Sequence, residues 1–226
     1  MLRKFSFAVI SQPRFYSLID KEDPLVYAVR QIKENSRIAF VVVLGDITQN
    51  GFPCQFAKAR EILDGLNKRY IPLMGDRNDL AGFQWGKRDE ISSDEFNPWR
   101  SFQREFGKAR NIFRKWQKRN VKNFSFKIPE FQNTKFIVID VGSRFKKFLR
   151  KNIKRANEEL ILVFSVNDLS PAINRFDFPC KRILNINPLN FQRRPLDNLT
   201  YWIEVRPDRL FLSNGLNFKN RRIGVI

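Results

Sequence analysis

Residues 38–51, with the sequence IAFVVVLGDITQNG, decide the fold class of this chain. The first seven of them are apolar and mostly β-branched, which is typical of a central strand covered on both faces. Gly45 and Asp46 end the apolar run, so the polar residues that follow lie at the carboxyl end of a strand. In α/β sheets, ligand sites form beyond the carboxyl ends of the strands. The sequence therefore predicts a buried sheet with a candidate site at Asp46.

The segments around this strand alternate between helix and strand patterns. An apolar run at residues 5–10 predicts a first strand, and residues 24–36 have the apolar spacing of a helix. A helix at 56–66 and a short strand at 70–74 follow. Helices are also predicted at 99–116 and 145–159, and strands at 124–128, 135–141, 160–164, 182–186, 199–205 and 209–212. This succession predicts an α/β fold in which two β-sheets form a sandwich flanked by helices.

Length and composition limit the classes of function. The 226 residues are predicted to form one domain, 1–226, because no low-complexity linker divides them. No apolar run approaches the roughly 20 residues that a membrane-spanning helix needs. The two cysteines, Cys54 and Cys180, are too few for a disulfide framework, which favours a reduced, cytoplasmic protein. The chain contains no histidine, so imidazole ligands for a metal are excluded.

The net charge of +19 is concentrated in one part of the chain. Residues 100–155 contain 18 of the 42 basic side chains and only 3 of the 23 acidic ones. Such a local excess causes self-repulsion, and it exceeds what solubility requires. It therefore implies a partner with many negative charges.

Five polar loops follow predicted strands, and their order resembles that of the calcineurin-like metallophosphoesterases. The loops are SQPR at 11–14, GDITQNG at 45–51, GDRND at 75–79, SVND at 165–168 and SNGLNF at 213–218. In that family the corresponding loops carry D-x-H, G-D-x-x-x-x-G, G-N-H-D/E, a lone H and G-H-x-H, and GDITQNG is the most specific match. The resemblance spans essentially the whole chain. It implies a four-layer αββα fold and metal-dependent hydrolysis of phosphoesters by two divalent ions.

Most residues that this family uses to bind metal are replaced here. Asp46 alone stands clearly at the position of a family ligand. The resemblance therefore implies a catalytically silent member with no metal cofactor. The other positions of this remnant site are Gln12 and Arg14 in the first loop, Asp76, Arg77 and Asn78 in the third, Val166 beside Asn167 in the fourth, and Gly215 and Asn217 in the last.

The remnant site leaves alternatives open. Asp46, Asp76 and Asn217 supply oxygen donors that suit a weak Mg²⁺ site, so the alternative function is a residual phosphoesterase with a remodelled metal site. Arg14 and Arg77 are candidate phosphate-binding residues, because a guanidinium forms paired hydrogen bonds to phosphate. The favoured interpretation is that these two arginines pair with Asp46 and Asp76 in a structural ion-pair cluster.

A basic aromatic insertion is predicted at about residues 107–122. Bulky residues recur every three or four positions from Trp99 to Trp116, which is one face of a helix, and packing of this stripe on the core is favoured. The surrounding cations favour a nucleic acid as the partner, with a protein or an anionic membrane surface as alternatives. The candidate polyanion-binding residues are Arg110, Arg114, Lys115, Lys118, Arg119, Lys146, Lys147, Arg150 and Lys151.

Overall fold

Two β-sheets lie face to face in the computed structural model, which describes residues 4–15, 23–75, 79, 97–111, 123–131, 133–140, 145–173, 182–187, 200–205, 210–214 and 217–222. The strands in the described part of the chain are β1 (Phe5–Ser11), β2 (Ile38–Leu44), β3 (Tyr70–Leu73), β4 (Phe124–Phe126), β5 (Thr134–Ile139), β6 (Leu160–Ser165), β7 (Arg182–Ile186), β8 (Thr200–Val205), β9 (Leu210–Asn214) and β10 (Asn217–Arg222).

The first sheet has six strands in the order β10-β9-β8-β1-β2-β3, and the second has four in the order β4-β5-β6-β7. Strands β1, β2 and β3 are parallel, whereas β8, β9 and β10 extend the sheet through antiparallel pairs. In the second sheet, β5, β6 and β7 are parallel and β4 is antiparallel to β5. Each sheet therefore gathers the carboxyl ends of three parallel strands at one edge.

Helices cover the outer faces of the sheets. In the described ranges they are α1 (Pro24–Lys33), α2 (Pro53–Asp64), α3 (Pro98–Asn111), α4 (Phe145–Lys154) and the short α5 (Ser170–Ile173), with a 3-10 turn at Pro129–Phe131. Helix α1 begins at Pro24 because Asp23 caps it, with Oδ1 accepting a hydrogen bond from Leu25 N at 2.8 Å. A proline in the first turn suits this start, since its missing N–H would have no helical partner there.

Alternation along the strands places one set of side chains between the sheets. The rings of Phe7 in β1 and Phe40 in β2 stack with centroids 5.1 Å apart. Phe136 of β5 meets Phe40 edge-on at 5.4 Å, and Phe164 of β6 meets Phe7 edge-on at 5.6 Å. All four rings are fully buried. Because aromatic pairs prefer such geometries, this cluster stabilises the packing of one sheet on the other.

The opposite faces of the sheets pack on helices. Ile10 and Val43 of the first sheet lie in a buried cluster with residues of α1, α2 and α3. Ile161 of the second sheet lies in another cluster with Leu149 and Ile153 of α4. The layers are therefore helix, sheet, sheet and helix, which confirms the predicted α/β two-sheet sandwich with an αββα layer order.

The largest differences from the predicted elements lie late in the chain. A strand was predicted at 209–212, whereas β9 extends to Asn214 and β10 follows it in the first sheet. The helix predicted at 145–159 ends at Lys154, since the chain turns there to enter β6. The predicted insertion at 107–122 is described only to Asn111, within α3. Within the described ranges, no helix combines the length and apolarity needed to cross a membrane.

Candidate functional site

The loop after β1 runs beside the loop after β2. Arg14 N donates a hydrogen bond to Asp46 O at 2.8 Å, and Phe15 N donates to Ile47 O at 2.8 Å. Gln49 N donates in turn to Phe15 O at 2.9 Å. The loops thus continue the pairing of β1 with β2 beyond the strand ends, so Arg14 is held next to Asp46.

The backbone at this point adopts left-handed conformations. Gln12 and Arg14 both have φ 48°, and Asp46 has φ 42°. Such values cost a residue with a Cβ about 1–3 kcal/mol, and they persist where the surrounding structure imposes them. They also cluster at binding and catalytic sites. The two loops therefore have the strained geometry of a site, although their side chains differ from those of the family.

Asp46 is fully buried at the centre of the remnant site. Its Oδ2 lies 3.9 Å from Nε of Arg14, whose side chain is 46% exposed. This separation is too long for a hydrogen bond, so the contact is electrostatic. It is the ion pair that the sequence favoured for Arg14. The other predicted pair, Asp76 with Arg77, lies outside the described residues, as does Asn78.

Glycines allow loops from both sheets to meet at Asp46. A Cβ on Gly75 would lie 2.2 Å from both N and Oδ1 of Asp46, so no larger residue fits there. A Cβ on Gly45, which has φ 62°, would lie 3.0 Å from Cγ1 of Val166. Val166 follows β6 in the second sheet and is buried. The structure therefore brings Arg14, Asp46 and Val166 together.

Asp79, which the sequence patterns did not single out, ties the second loop to the third. Its Oδ1 accepts hydrogen bonds from Thr48 N at 2.8 Å and Thr48 Oγ1 at 2.9 Å. Its Oδ2 accepts from Gly75 N at 2.8 Å and Ile47 N at 3.0 Å. Burial raises the pKa of Asp79 to about 6. The charge of Asp46 also raises this pKa, whereas the backbone hydrogen bonds lower it. The signal in the sequence was an aspartate at the end of GDRND, where strand-end N–H groups need acceptors.

A second buried aspartate, Asp140, links the two sheets at the same edge. Its Oδ1 accepts a hydrogen bond from Met74 N at 3.1 Å, and its N donates to Asn123 Oδ1 at 3.2 Å. Met74 follows β3 in the first sheet, whereas Asp140 follows β5 in the second. This carboxylate therefore stabilises the contact between the strand ends.

Two asparagines at the end of β7 contact the end of β6 and the residues that follow it. Asn185 in β7 donates from Nδ2 to Ser165 Oγ at 2.6 Å and accepts at Oδ1 from Leu169 N at 2.8 Å. Asn187, immediately after β7, donates from Nδ2 to Asn185 Oδ1 at 2.8 Å. These amides hold the ends of β6 and β7 together around the loop of Val166.

The resemblance matches the last family loop to residues 213–218, and the strand order places Asn217 of that loop away from Asp46. Asn217 begins β10, which lies four strands from β2 in the first sheet. With about 4.8 Å between neighbouring strands, the separation is roughly 19 Å. Gly215 lies outside the described residues. Sequence spacing alone did not reveal that β9 and β10 extend the antiparallel side of the sheet.

The described residues around Asp46 offer few ligands for a dinuclear metal centre. Such a centre needs several imidazole and carboxylate ligands, and the part of the chain that the structure describes has no group of three or more His, Cys, Asp or Glu placed to hold a metal ion. Arg14 puts a fixed positive charge beside the carboxylate, and Val166 contributes only an apolar side chain. Of the weak Mg²⁺ candidates, Asp76 is outside the described residues and Asn217 is remote from Asp46.

The basic segment 100–155 does not form one surface in its described parts. Helix α3, which carries Arg110 near its end, packs on the outer face of the first sheet. Helix α4 packs on the outer face of the second sheet, so the two helices lie on opposite sides of the sandwich. Sequence proximity suggested a single surface because it does not show which sheet each helix covers. The exposed candidates on α4 are Lys146, Lys147, Arg150 and Lys151, whereas Arg114, Lys115, Lys118 and Arg119 lie outside the described residues.

The aromatic stripe of α3 packs inward. Phe102 and Phe106 are fully buried and meet Phe56 of α2 at ring distances of 6.0 and 6.3 Å. Trp99 stacks on Phe102 at 5.6 Å. The favoured interpretation of this stripe as core packing is confirmed for these residues, and Phe113 and Trp116 lie outside the described ranges.

Carboxylates pair with several cations around α3. Arg104 lies 2.8 Å from Glu105, and Arg60 of α2 lies 3.4 Å from Glu105 and 3.2 Å from Asp64. Tyr70 donates a hydrogen bond to Asp64 at 2.6 Å. Arg60, Asp64, Tyr70 and Glu105 line a groove of about 490 Å³ between α2, β3 and α3. Charge on this side of the sandwich is thus partly neutralised within the chain.

The solved structures that resemble this chain include two that share little sequence with it. One is purple acid phosphatase PPD1 from yellow lupin (Lupinus luteus) seeds, with a TM-score of 0.48 and 11% identity over 75% of this chain and 31% of that chain. This chain thus spans about a third (31%) of the length of that phosphatase. The other is GAP50, described as the anchor in the inner membrane complex of Plasmodium, with a TM-score of 0.49 and 9% identity over 99% of this chain and 89% of that chain. No family model and no curated protein matches the sequence.

Proposed function

We propose that this chain is a catalytically silent protein of the metallophosphoesterase type that acts as a binding or scaffold module for a polyanion. The observation that carries the first part is the contact between Arg14 and Asp46, with Nε and Oδ2 3.9 Å apart. A guanidinium fixed at this distance repels a divalent cation from the one carboxylate that matches a family ligand. This contact supports catalytic silence, because two-metal hydrolysis depends on carboxylates that bind cations.

The neighbouring carboxylates support the same conclusion. Two-metal hydrolysis uses cations about 3.5–4 Å apart to clamp the phosphoryl oxygens and to generate the nucleophile. Asp79 and Asp140 instead accept hydrogen bonds from backbone N–H groups of the strand-end loops. Their role is to hold the loops in place, so they do not make up for the missing ligands.

The charge excess supports the binding part of the proposal. Residues 100–155 hold 18 basic and 3 acidic side chains. Cations in this number lower the free energy of association with a phosphate backbone by releasing its counterions. A nucleic acid in the cytoplasm is the partner that we propose, with an acidic protein surface as the alternative.

Metal analysis and a hydrolysis assay on the purified full chain test catalytic silence. We expect far less than one metal ion per chain, and no hydrolysis of a generic phosphodiester with added Mg²⁺ or Mn²⁺. Stoichiometric metal, together with hydrolysis that Asp46→Ala abolishes and Glu61→Ala leaves intact, would establish a residual phosphoesterase and overturn the proposal. Glu61 is a matched control because it is an exposed carboxylate on α2.

The exposure of Arg14 favours a second property of the remnant site, the binding of phosphate without hydrolysis. Its guanidinium contacts Asp46 on one side, and 46% of the side chain remains exposed. We expect inorganic phosphate to raise the unfolding temperature of the wild type, and to do so less for Arg14→Ala and for Arg77→Ala. Equal shifts in all three proteins would contradict phosphate binding at these arginines.

A further inference from the structure

Helix α4 is anchored by one side and presents cations on the other. Leu149 and Ile153 are fully buried against the second sheet, and Phe145 and Phe148 pack partly on the same cluster. Asn152 is also engaged, since its Oδ1 accepts a hydrogen bond from Ser125 Oγ at 2.9 Å. The exposed cations, which we call the α4 cationic face, are Lys146, Lys147, Arg150, Lys151 and Lys154.

The α4 cationic face has no acidic counterpart in the described part of the chain. The sequence of α4, FKKFLRKNIK, contains no Asp or Glu. Among described residues, none of the five cations forms an ion pair. The nearest carboxylate along the chain, Glu158, pairs instead with Lys127. The charge of this face is therefore open to a partner.

The spacing of the cations suits a linear polyanion. Lys146, Arg150 and Lys154 recur every four residues, as do Lys147 and Lys151, so neighbours along each row are about 6 Å apart on the helix axis. The face is about 12 Å long by the same geometry. Duplex DNA carries one charge per roughly 1.7 Å of its axis when both strands are counted, so a length of about 12 Å holds about seven phosphates, which is similar to the number of cations on the face.

Burial of its apolar side distinguishes α4 from a helix that lies in a membrane surface. A membrane-surface helix inserts its apolar residues among the lipids, whereas Leu149 and Ile153 are already used in the core. Among the described residues, the exposed large hydrophobic side chain is Tyr27, on α1 at the other side of the sandwich. The α4 cationic face therefore offers charge without an apolar anchor.

We propose that the α4 cationic face is a docking site for the phosphate backbone of duplex nucleic acid. This inference rests on the proposed polyanion-binding function and assigns it to one helix. The face contains no aromatic ring to stack on bases, and the amide of Asn152 points into the fold. Contacts to phosphates position a duplex without reading its bases, so the binding is independent of sequence.

Salt dependence of binding to a fluorescein-labelled 20-base-pair DNA duplex tests the site. Five phosphate contacts give a slope of about −4.5 for log K against log salt, which is roughly a 500-fold loss of affinity between 50 and 200 mM NaCl. The triple variant Lys147→Gln, Lys151→Gln and Lys154→Gln is expected to have a slope of about −1.8 and to lose only about 10-fold over that range. A duplex of unrelated sequence should give the same values.

A matched control removes the same charge from the opposite side of the sandwich. Arg30→Gln, Lys33→Gln and Arg37→Gln change exposed residues of α1 and of the turn that follows it, and are expected to leave the slope near that of the wild type. Far-UV circular dichroism and the urea midpoint of each variant should match those of the wild type, because all six positions are exposed.

Other outcomes would show which part of the proposal is wrong. If the α4 variant binds as the wild type does, and Arg114→Gln, Lys115→Gln and Lys118→Gln together abolish binding, the docking site is wrong and the polyanion-binding function stands. If the wild type does not bind the duplex at 50 mM NaCl, the nucleic-acid function itself is overturned. Binding to phosphatidylserine vesicles without binding to DNA would replace the nucleic acid by a membrane surface.

Discussion

The remnant site and the α4 cationic face use charged residues in opposite ways. At the strand ends, the carboxylates of Asp79 and Asp140 are buried and accept hydrogen bonds from backbone groups. On α4, Lys147 and Lys151 are exposed and have no ion-pair partner among the described residues. The region that resembles an enzyme site is therefore committed to holding the loops together, whereas the region outside the family motifs keeps its charge open to a partner.

This contrast predicts that stability and binding can be changed separately. Substitutions at the strand ends should lower the free energy of unfolding and leave the salt dependence of DNA binding unchanged. Substitutions on the α4 cationic face should do the reverse. A variant of either region that changed both the free energy of unfolding and the salt dependence of DNA binding would contradict this separation.

The largest effect on stability is expected from Asp79→Ala. The substitution leaves the N–H groups of Ile47, Thr48 and Gly75 without their acceptor, as well as the Thr48 hydroxyl. Each buried donor left unsatisfied costs about 1–3 kcal/mol, so for four donors we expect a loss of at least about 4 kcal/mol in urea unfolding at pH 4. Loss of less than about 1 kcal/mol would show that the side chain of Asp79 does not hold these loops.

The pH dependence of that loss tests the burial of Asp79. Because its pKa in the folded protein is about 6, above the ordinary value of 3.8, the folded state binds more protons than the unfolded state between these values. The stability of the wild type should therefore fall relative to Asp79→Ala as pH rises from about 4 to about 6, by roughly 3 kcal/mol, and then level off. A gap between the two proteins that widens over this range would contradict the shift.

Glu158 provides a control, because its pKa is shifted in the opposite direction from that of Asp79. Burial opposes its ionisation, but hydrogen bonding from Lys127 lowers the pKa of Glu158 below its ordinary value of 4.5. The stability that Glu158 contributes is present above that ordinary value and is lost as pH falls through the folded-state pKa. The gap between the wild type and Glu158→Gln should therefore narrow as the pH is lowered below about 4.5.

Two glycines, one at the strand ends and one on a helix, are expected to respond in opposite ways to substitution by alanine. A Cβ on Gly75 would lie 2.2 Å from atoms of Asp46, so Gly75→Ala should destabilise the fold by about 1–3 kcal/mol through overpacking. A Cβ on Gly107, within α3, would meet nothing within 4 Å. Gly107→Ala should therefore stabilise the protein by about 0.5–1 kcal/mol, since alanine favours a helix. Thermal unfolding of both variants measures these two changes in stability. A change of the same sign in both variants would contradict the prediction.

The smallest effect on stability is expected on α4. The triple variant Lys147→Gln, Lys151→Gln and Lys154→Gln should shift the free energy of unfolding by less than about 0.5 kcal/mol, because exposed residues away from packed contacts contribute little. Chemical unfolding in the same buffer as the binding assay checks this value. A larger loss would mean that the cations support the helix rather than a partner.

Part of the candidate site follows directly from the sequence. The run IAFVVVL followed by Gly45 and Asp46 indicates both a central strand and the position of a site at its carboxyl end. Asp46 is buried there, and its contact with Arg14 agrees with the ion pair favoured from the residue types. Such local features are predictable because apolar runs and strand-end turns have few structural alternatives.

Other features could not be predicted, because they depend on contacts between distant segments. Asp79 gains its role from Thr48, 31 residues earlier in the chain. The position of Asn217 could not be derived from the sequence either, since only strand pairing shows that β10 lies four strands from β2 in the first sheet. Likewise, only the packing shows that α3 and α4 cover different sheets.

The sequence by itself determined the fold class, the edge of the sheet where a site forms, and the absence of histidine ligands. These properties depend on residue type and on periodicity, which are local. The tertiary structure decided which charges are paired in the described part of the chain. Around α3, Arg60 and Arg104 meet Glu105, whereas α4 faces outward without a carboxylate. The physical reason is that Coulomb energy depends on separation in space, and only the packing of helices on the two sheets sets that separation.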